Sequence, residues 1–263
     1  MKKVFGKAID NAISLGVVII VLFLIIPIRT ELLDFLLIIN IGLSIMILMI
    51  TMNISETLEF SIFPSLLLVT TLFRLGLNVS STRAILYKGY AGEVIQNFGN
   101  LITGGNIVVG VVIFLIIVLV QFIVITKGAE RVAEVAARFT LDAMPGKQMA
   151  IDADLSSGLI DEQTARLRRG KIQKEADFYG AMDGATKIVK GDAVMSLIIT
   201  LINFVGGVII GMVMGGGDFS TVLQKYSIVT IGDGLVSQLP ALMISTATGM
   251  IVTRSVSEGS LNK

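Results

Sequence analysis

The chain of 263 residues reads as long apolar runs joined by short polar connections, interrupted once by a long charged stretch. Residues 12–28, 32–52, 60–77, 107–125, 193–214 and 227–253 are apolar enough to predict membrane-spanning helices, since crossing the hydrocarbon takes about 20 residues. The first run follows Lys2, Lys3 and Lys7 and ends Ile26–Pro27–Ile28–Arg29 without a small-residue cleavage pattern, so it reads as a retained helix rather than a signal peptide. The third is marginal in length, is interrupted by Pro64 and carries Arg74 near its end. Residues 79–106, rich in Gly, Ser and Thr, predict a polar connection between spans three and four. The pattern therefore predicts an all-α polytopic membrane bundle of about six transmembrane helices. Spans one to four fall in residues 1–128, a charged insert in 129–192, and spans five and six with a short polar tail in 193–263.

Between Lys127 and Lys190 the chain places more than half of its 21 Lys and Arg, matched by acidic residues. Residues 127–141 have helical character, with Arg131, Glu134 and Arg138 on one face and Glu134 able to pair with either Arg. Pro145–Gly146 predicts the end of that helix. Residues 161–176 predict a second, with Asp161 and Glu162 in the first turn, where the helix dipole favours anions. The balance of charge describes a small folded element more than a polybasic lipid-binding tract. Counting Lys and Arg in the short loops puts both termini and the insert in the cytoplasm.

Composition narrows the chemistry. There is no Cys and no His, which removes disulfides, thiolate nucleophiles and the side chain that titrates near neutrality. A net charge of +1 gives no general basicity toward nucleic acid. No phosphate loop, nucleotide fingerprint or metal-ligand cluster occurs. The expectation is a non-enzyme without metal or cofactor, its driving force an ion gradient or a partner.

Ionisable residues inside spans cost roughly 2.5–3.5 kcal/mol near a helix centre and are candidate functional groups for that reason. Asp192 stands at the start of span five, either as an N-cap or as a carboxylate that exchanges a proton. Asp233, between Gly232 and Gly234, lies either within span six, with the glycines permitting close backbone approach, or in a turn before a span starting at Leu235. Arg74 either snorkels or pairs with a carboxylate from another helix. Asp34 sits near the outer end of span two and reads as interfacial. Asp183 and Lys187 are near Asp192 in sequence, and Arg131, Arg138 and Asp142 are candidates for a network coupling protonation to movement. Gly207 and Gly211 form a small pair on one face of span five, suited to close helix packing.

The run at 138–155, RFTLDAMPGKQMAIDADL, resembles the signature loop of the FHIPEP family, the export-gate proteins of flagellar and virulence type III secretion. The likeness continues in ADFYGAMDGA at 176–185, KGDA at 190–193, TTLFRLGLNVSSTR at 70–83 and TIGDGL at 230–235, and is closer to the flagellar branch. It implies a multi-pass protein of the bacterial inner membrane that couples the proton gradient to protein export, with Asp192 matching the family's coupling aspartate. It further implies a homo-oligomeric ring, a nonamer, beside other export-apparatus membrane subunits. Family members continue with two more spans and a cytoplasmic domain that docks substrates and chaperones, which this sequence does not contain. The rival readings are an ion or solute transporter lined by Asp192 and Asp233, and a non-conducting membrane scaffold.

Overall fold

The structure is a computed structural model that describes residues 15–123, 130–215 and 218–253. Among these residues no strand occurs. The helices in order are α1 (Leu15–Ile25), α2 (Thr30–Asn53), α3 (Phe63–Lys88), α4 (Glu93–Thr103), α5 (Ile107–Ile123), α6 (Glu130–Asp142), α7 (Met144–Ser156), α8 (Glu162–Gly215) and α9 (Phe219–Thr253), with a 3-10 turn at Thr57–Phe60.

Four of these, α2, α3, α8 and α9, are long and apolar enough to cross a membrane. The pair α4 and α5, bent by 102° at Gly104–Gly105, makes a fifth crossing if taken as one broken span. The described part of α1 is a shorter apolar helix, so four or five of the six expected crossings are found among the described residues. The start of the first expected span and the polar tail at 254–263 lie outside the described residues.

Other expectations need correction. Span three does not end at 77, and 79–106 is not a loop: α3 continues to Lys88 and α4 follows. Ser80 and Ser81 fall in the expected polar connection and Asn78 just before it, but each is at most 5% exposed, and Asn78 and Ser80 bond to neighbouring helices. Ser80 and Arg83 donate to the carbonyls of Phe23, Leu24 and Ile25, satisfying orphan acceptors at the end of α1. Pro64 and Pro145 each occupy the first turn of a helix, where the missing N–H removes no helical bond. Pro145 thus opens α7, which the sequence did not suggest. The expected insert helix at 161–176 and span five at 193–214 are one continuous helix of 54 residues, α8. Span six begins at Phe219 rather than at 227.

The 54 residues of α8 make a rod of about 80 Å, more than twice the hydrocarbon thickness of about 30 Å. Its first half is polar. There α7 folds back on it, burying Met144, Ile151, Ala165 and Ile172, with Lys147–Glu175 (3.1 Å) and Arg168–Asp154 (3.2 Å) pairs and an Arg169–Asp152 contact along the seam. The second half is apolar and mostly outward-facing.

The hub is α9, which packs against α2, α3, α4, α5, α6 and α8. Two apolar clusters occupy opposite ends of the bundle. One gathers Leu33, Leu37, Leu77, Ile85, Ile95 and Tyr226; the other gathers Ile47, Phe63, Leu67, Tyr179, Met182 and Ile251. Close approach is made possible by glycine. A Cβ on Gly99 would overlap the Ile228 carbonyl and one on Gly232 the Ile95 carbonyl, so α4 and α9 touch backbone to backbone. Gly207 and Gly211 receive the Tyr226 ring against α8, as their spacing suggested.

Candidate functional site

Between the two apolar clusters, α3, α8 and α9 enclose a buried polar band. Helical spacing sets Arg74, Asn78 and Ser81 on one face of α3, at i, i+4 and i+7. Arg74 is 1% exposed and Asp192 of α8 is 6% exposed. Nε and Nη2 of Arg74 both donate to Oδ2 of Asp192, so Arg74 pairs with a carboxylate from another helix rather than snorkelling. Asp192 is not the cap of span five: it lies thirty residues into α8, with helix on both sides.

One turn along α3, Ser237 of α9 donates to Oδ1 of Asn78 at 2.7 Å. Beyond it, Asp233 is 3% exposed and accepts from Nδ2 of Asn203 on α8 at 2.8 Å, with the Ser81 side chain beside it. Asp233 therefore lies inside span six, not in a turn before it. Its flanking glycines act as their position suggested, Gly232 against α4 and Gly234 against the Phe114 ring of α5. Asp192 and Asn203 are three turns apart on α8, roughly 16 Å along the axis, so the band covers about half of the hydrocarbon thickness.

The two carboxylates differ in electrostatic setting. Asp192 faces a guanidinium, whereas the contacts of Asp233 are neutral amide and hydroxyl groups. Nη1 of Arg74, Oδ1 of Asp192, Nδ2 of Asn78, Oδ1 of Asn203 and Oγ1 of Thr230 are buried without a hydrogen-bond partner among the described residues. An unsatisfied buried polar atom costs about 1–3 kcal/mol, so the band is expensive for a part that serves packing alone. Asn78, Asn203 and Ser237 were missed as candidates. Asn203 was visible as an amide inside an apolar run, whereas Asn78 falls between the expected end of span three at 77 and the polar connection from 79.

The other candidates lie elsewhere. Arg138 pairs with Asp142 at 3.9 Å on an exposed face of α6, in place of the expected Glu134. Asp183 pairs with Lys187 at 2.7 Å on the outer side of α8. Arg131 is exposed, and no ion pair includes it among the described residues. Arg138 with Asp142 and Asp183 with Lys187 thus make local i,i+4 pairs. Asp34 is more than an interfacial charge: Oδ2 accepts from the Glu93 N–H at 2.8 Å and Oδ1 from the Val94 N–H at 3.0 Å. It caps the start of α4 from another helix, a contact allowed by Gly92 at φ +115°, where any Cβ would strike the carboxylate. Among the described residues no cluster of three or more His, Cys, Asp or Glu could hold a metal.

Comparison with known proteins bears on the same segments. The FHIPEP family model matches residues 20–263. The flagellar biosynthesis protein FlhA of Bacillus subtilis is 59% identical over 252 residues, covering 96% of this chain and 37% of that protein. The low calcium response locus protein D of Yersinia pestis is 52% identical over 255 residues, covering 97% and 36%. The harpin secretion protein HrpI of Erwinia amylovora is 53% identical over 240 residues, covering 91% and 34%. The chain thus spans a little over a third of the length of these relatives. No solved structure matches it. With the family model covering all but its first residues and relatives of this similarity along nearly its whole length, the chain belongs to the FHIPEP family.

Proposed function

We propose that this chain is a membrane part of a flagellar-type III protein export gate and that it couples the proton gradient to export. The names of its relatives, in flagellar biosynthesis and in secretion, support the first half. The observation that carries the second is the buried Arg74–Asp192 pair, set on a helix that continues unbroken out of the apolar layer. Taking up a proton neutralises Asp192 and leaves the Arg74 guanidinium buried without its counter-charge. That is a costly state, relieved by shifting α8 against α3. Because α8 is one rod, a shift at Asp192 moves its polar half and α7 with it. Asp233 and its amide and hydroxyl neighbours extend the polar path toward the other end of the bundle.

In this reading the polar half of α8 is cytoplasmic, as are both termini, and the membrane is the bacterial inner membrane. The apolar outer faces of α8 and α5 meet lipid, other export-apparatus subunits or further copies in a ring. Substrates and chaperones engage other parts of the full-length protein.

The test is complementation with full-length protein carrying Asp192→Asn, or Asp192→Asn with Arg74→Gln, scoring secretion and filament assembly at matched membrane level. The double variant has no lone buried charge. Export lost in both, at normal protein level, and restored by Asp192→Glu supports a protonatable role. Export recovered in the double variant reduces the pair to a structural contact and ends the coupling reading. Ion flux through the purified chain alone in liposomes would favour the transporter alternative.

A further inference from the structure

The polar segment between α5 and α8 contains one helix whose surface does not suit water. On α6, Ala133 and Ala137 are 2% and 3% exposed and belong to the apolar cluster that also holds Ile244, Ala247, Ile251 and Val252 of α9. These four residues lie in the last turns of a membrane-crossing helix, so the inner face of α6 is seated beside the end of a span and not out on a stalk. The helix also begins within seven residues of the end of α5, another strongly apolar helix.

The arc next to that seated face is apolar too. Val132, Val135 and Phe139, at i, i+3 and i+7, are 43%, 42% and 72% exposed, and the partly buried Ala136 joins them to the packed side. Arg131 and Arg138 flank the far edge of this stripe. Among the described residues Arg138 makes a long, exposed pair with Asp142, worth little in water. At the same end of the bundle the last turns of α2 present Met46, Met49 and Ile50, also exposed and apolar. An apolar arc continuous with a membrane-embedded bundle, edged by long cationic side chains, is the pattern of a helix lying in the lipid interface. Arginines at such an edge keep their stems along the acyl boundary and their heads at the phosphates.

We propose that α6 lies in the membrane–water interface, with Val132, Val135 and Phe139 in the acyl boundary and Arg131 and Arg138 on lipid phosphates. The segment is then not a free element in solution: its first helix is anchored to the bilayer beside α9, and α7 with the polar half of α8 forms the part that stands clear. The balance of charge over the whole insert conceals this, because the surface is set by which side of α6 each residue occupies.

The chain contains no Cys, so single cysteines in a full-length background without other accessible thiols report one site each. Single variants V132C, V135C, F139C and E134C, each carrying an environment-sensitive fluorophore, are reconstituted into phosphatidylethanolamine–phosphatidylglycerol vesicles. Each is quenched in turn by lipid-borne nitroxide and by aqueous iodide. The expected result is quenching by the lipid probe and loss of iodide quenching at 132, 135 and 139, with the reverse at 134 on the same helix. Charge reversal at Arg131 and Arg138 together is expected to lower lipid quenching at 139. Iodide quenching at all four positions would overturn the proposal by putting the stripe in water. Protection from both quenchers at 132, 135 and 139 would overturn it by showing a protein surface, a second copy or another subunit, over the stripe.

Discussion

The Arg74–Asp192 pair gives the sharpest energetic test. Both side chains are almost fully enclosed, at 2% and 4% exposure, and they come from helices 118 residues apart in sequence. Asp192→Asn leaves a guanidinium in the bundle interior without a counter-charge, and Arg74→Gln does the same to a carboxylate. Breaking a buried pair from one side costs about 3–5 kcal/mol, in line with about 2.5–3.5 kcal/mol for a lone charge at a span centre. The double variant removes both charges together and leaves amides that can bond to each other. It is expected to fall well short of the sum of the singles, with a coupling energy of about 2–3 kcal/mol. The assay is a double-mutant cycle on the purified full-length protein, unfolded reversibly in mixed micelles and followed by helical signal. Additivity within about 0.5 kcal/mol would refute the reasoning, since the two groups would then not be sensing each other. The same cycle calibrates the export assay, because it separates loss of function by misfolding from loss of a titrating group.

Three other outcomes follow from the geometry. Gly232→Ala drives a methyl into the Ile95 carbonyl, so it is expected to cost about 1–3 kcal/mol or more and to unseat α4 from α9, seen as faster amide exchange in α4. Asp34→Ala removes the acceptor for the Glu93 and Val94 N–H groups, with an expected loss of about 1 kcal/mol and faster exchange at those two amides; unchanged exchange there would show that the cap is not formed. At the exposed start of α8, Asp161 accepts from the Thr164 N–H at 2.9 Å, and the bonding from Thr164 holds its carboxyl below the ordinary Asp value. A lowered carboxyl stabilises the fold above the unfolded value of about 3.9, and that contribution disappears as pH falls through the folded value. The first turn of α8 is therefore expected to exchange faster in acid, and less so in Asp161→Asn, where the cap does not titrate.

Much of this was legible along the chain because hydropathy is a local property. Runs such as 32–52 and 193–214 must leave water wherever they pack, which makes the protein an all-α membrane protein before any contact is known. Asp192, Asp233 and Arg74 declared themselves by being charged in or beside such runs. The glycine pairs on α8 and around Asp233 announced close approach in the same way, and the motif strings carried the family.

What the sequence by itself could not determine depends on partners far along the chain. A polar residue in an apolar setting has two explanations, solvent at a helix end or a buried partner on another helix, and local pattern does not separate them. Hence Ser80 and Ser81 read as a polar connection, when α3 continues and turns Asn78 toward Ser237 and Ser81 toward Asp233. A cap was one of two readings of Asp192 because an apolar run follows it, yet a helix is held by backbone bonds that do not register that change, so α8 continues through it. The seating of α4 has the same origin, since Asp34 reaches across from α2 to its first turn and Gly99 and Gly232 let it sink against α9. Only tertiary packing could decide these points, because the energy of burying a charge or an amide is settled by what stands opposite it.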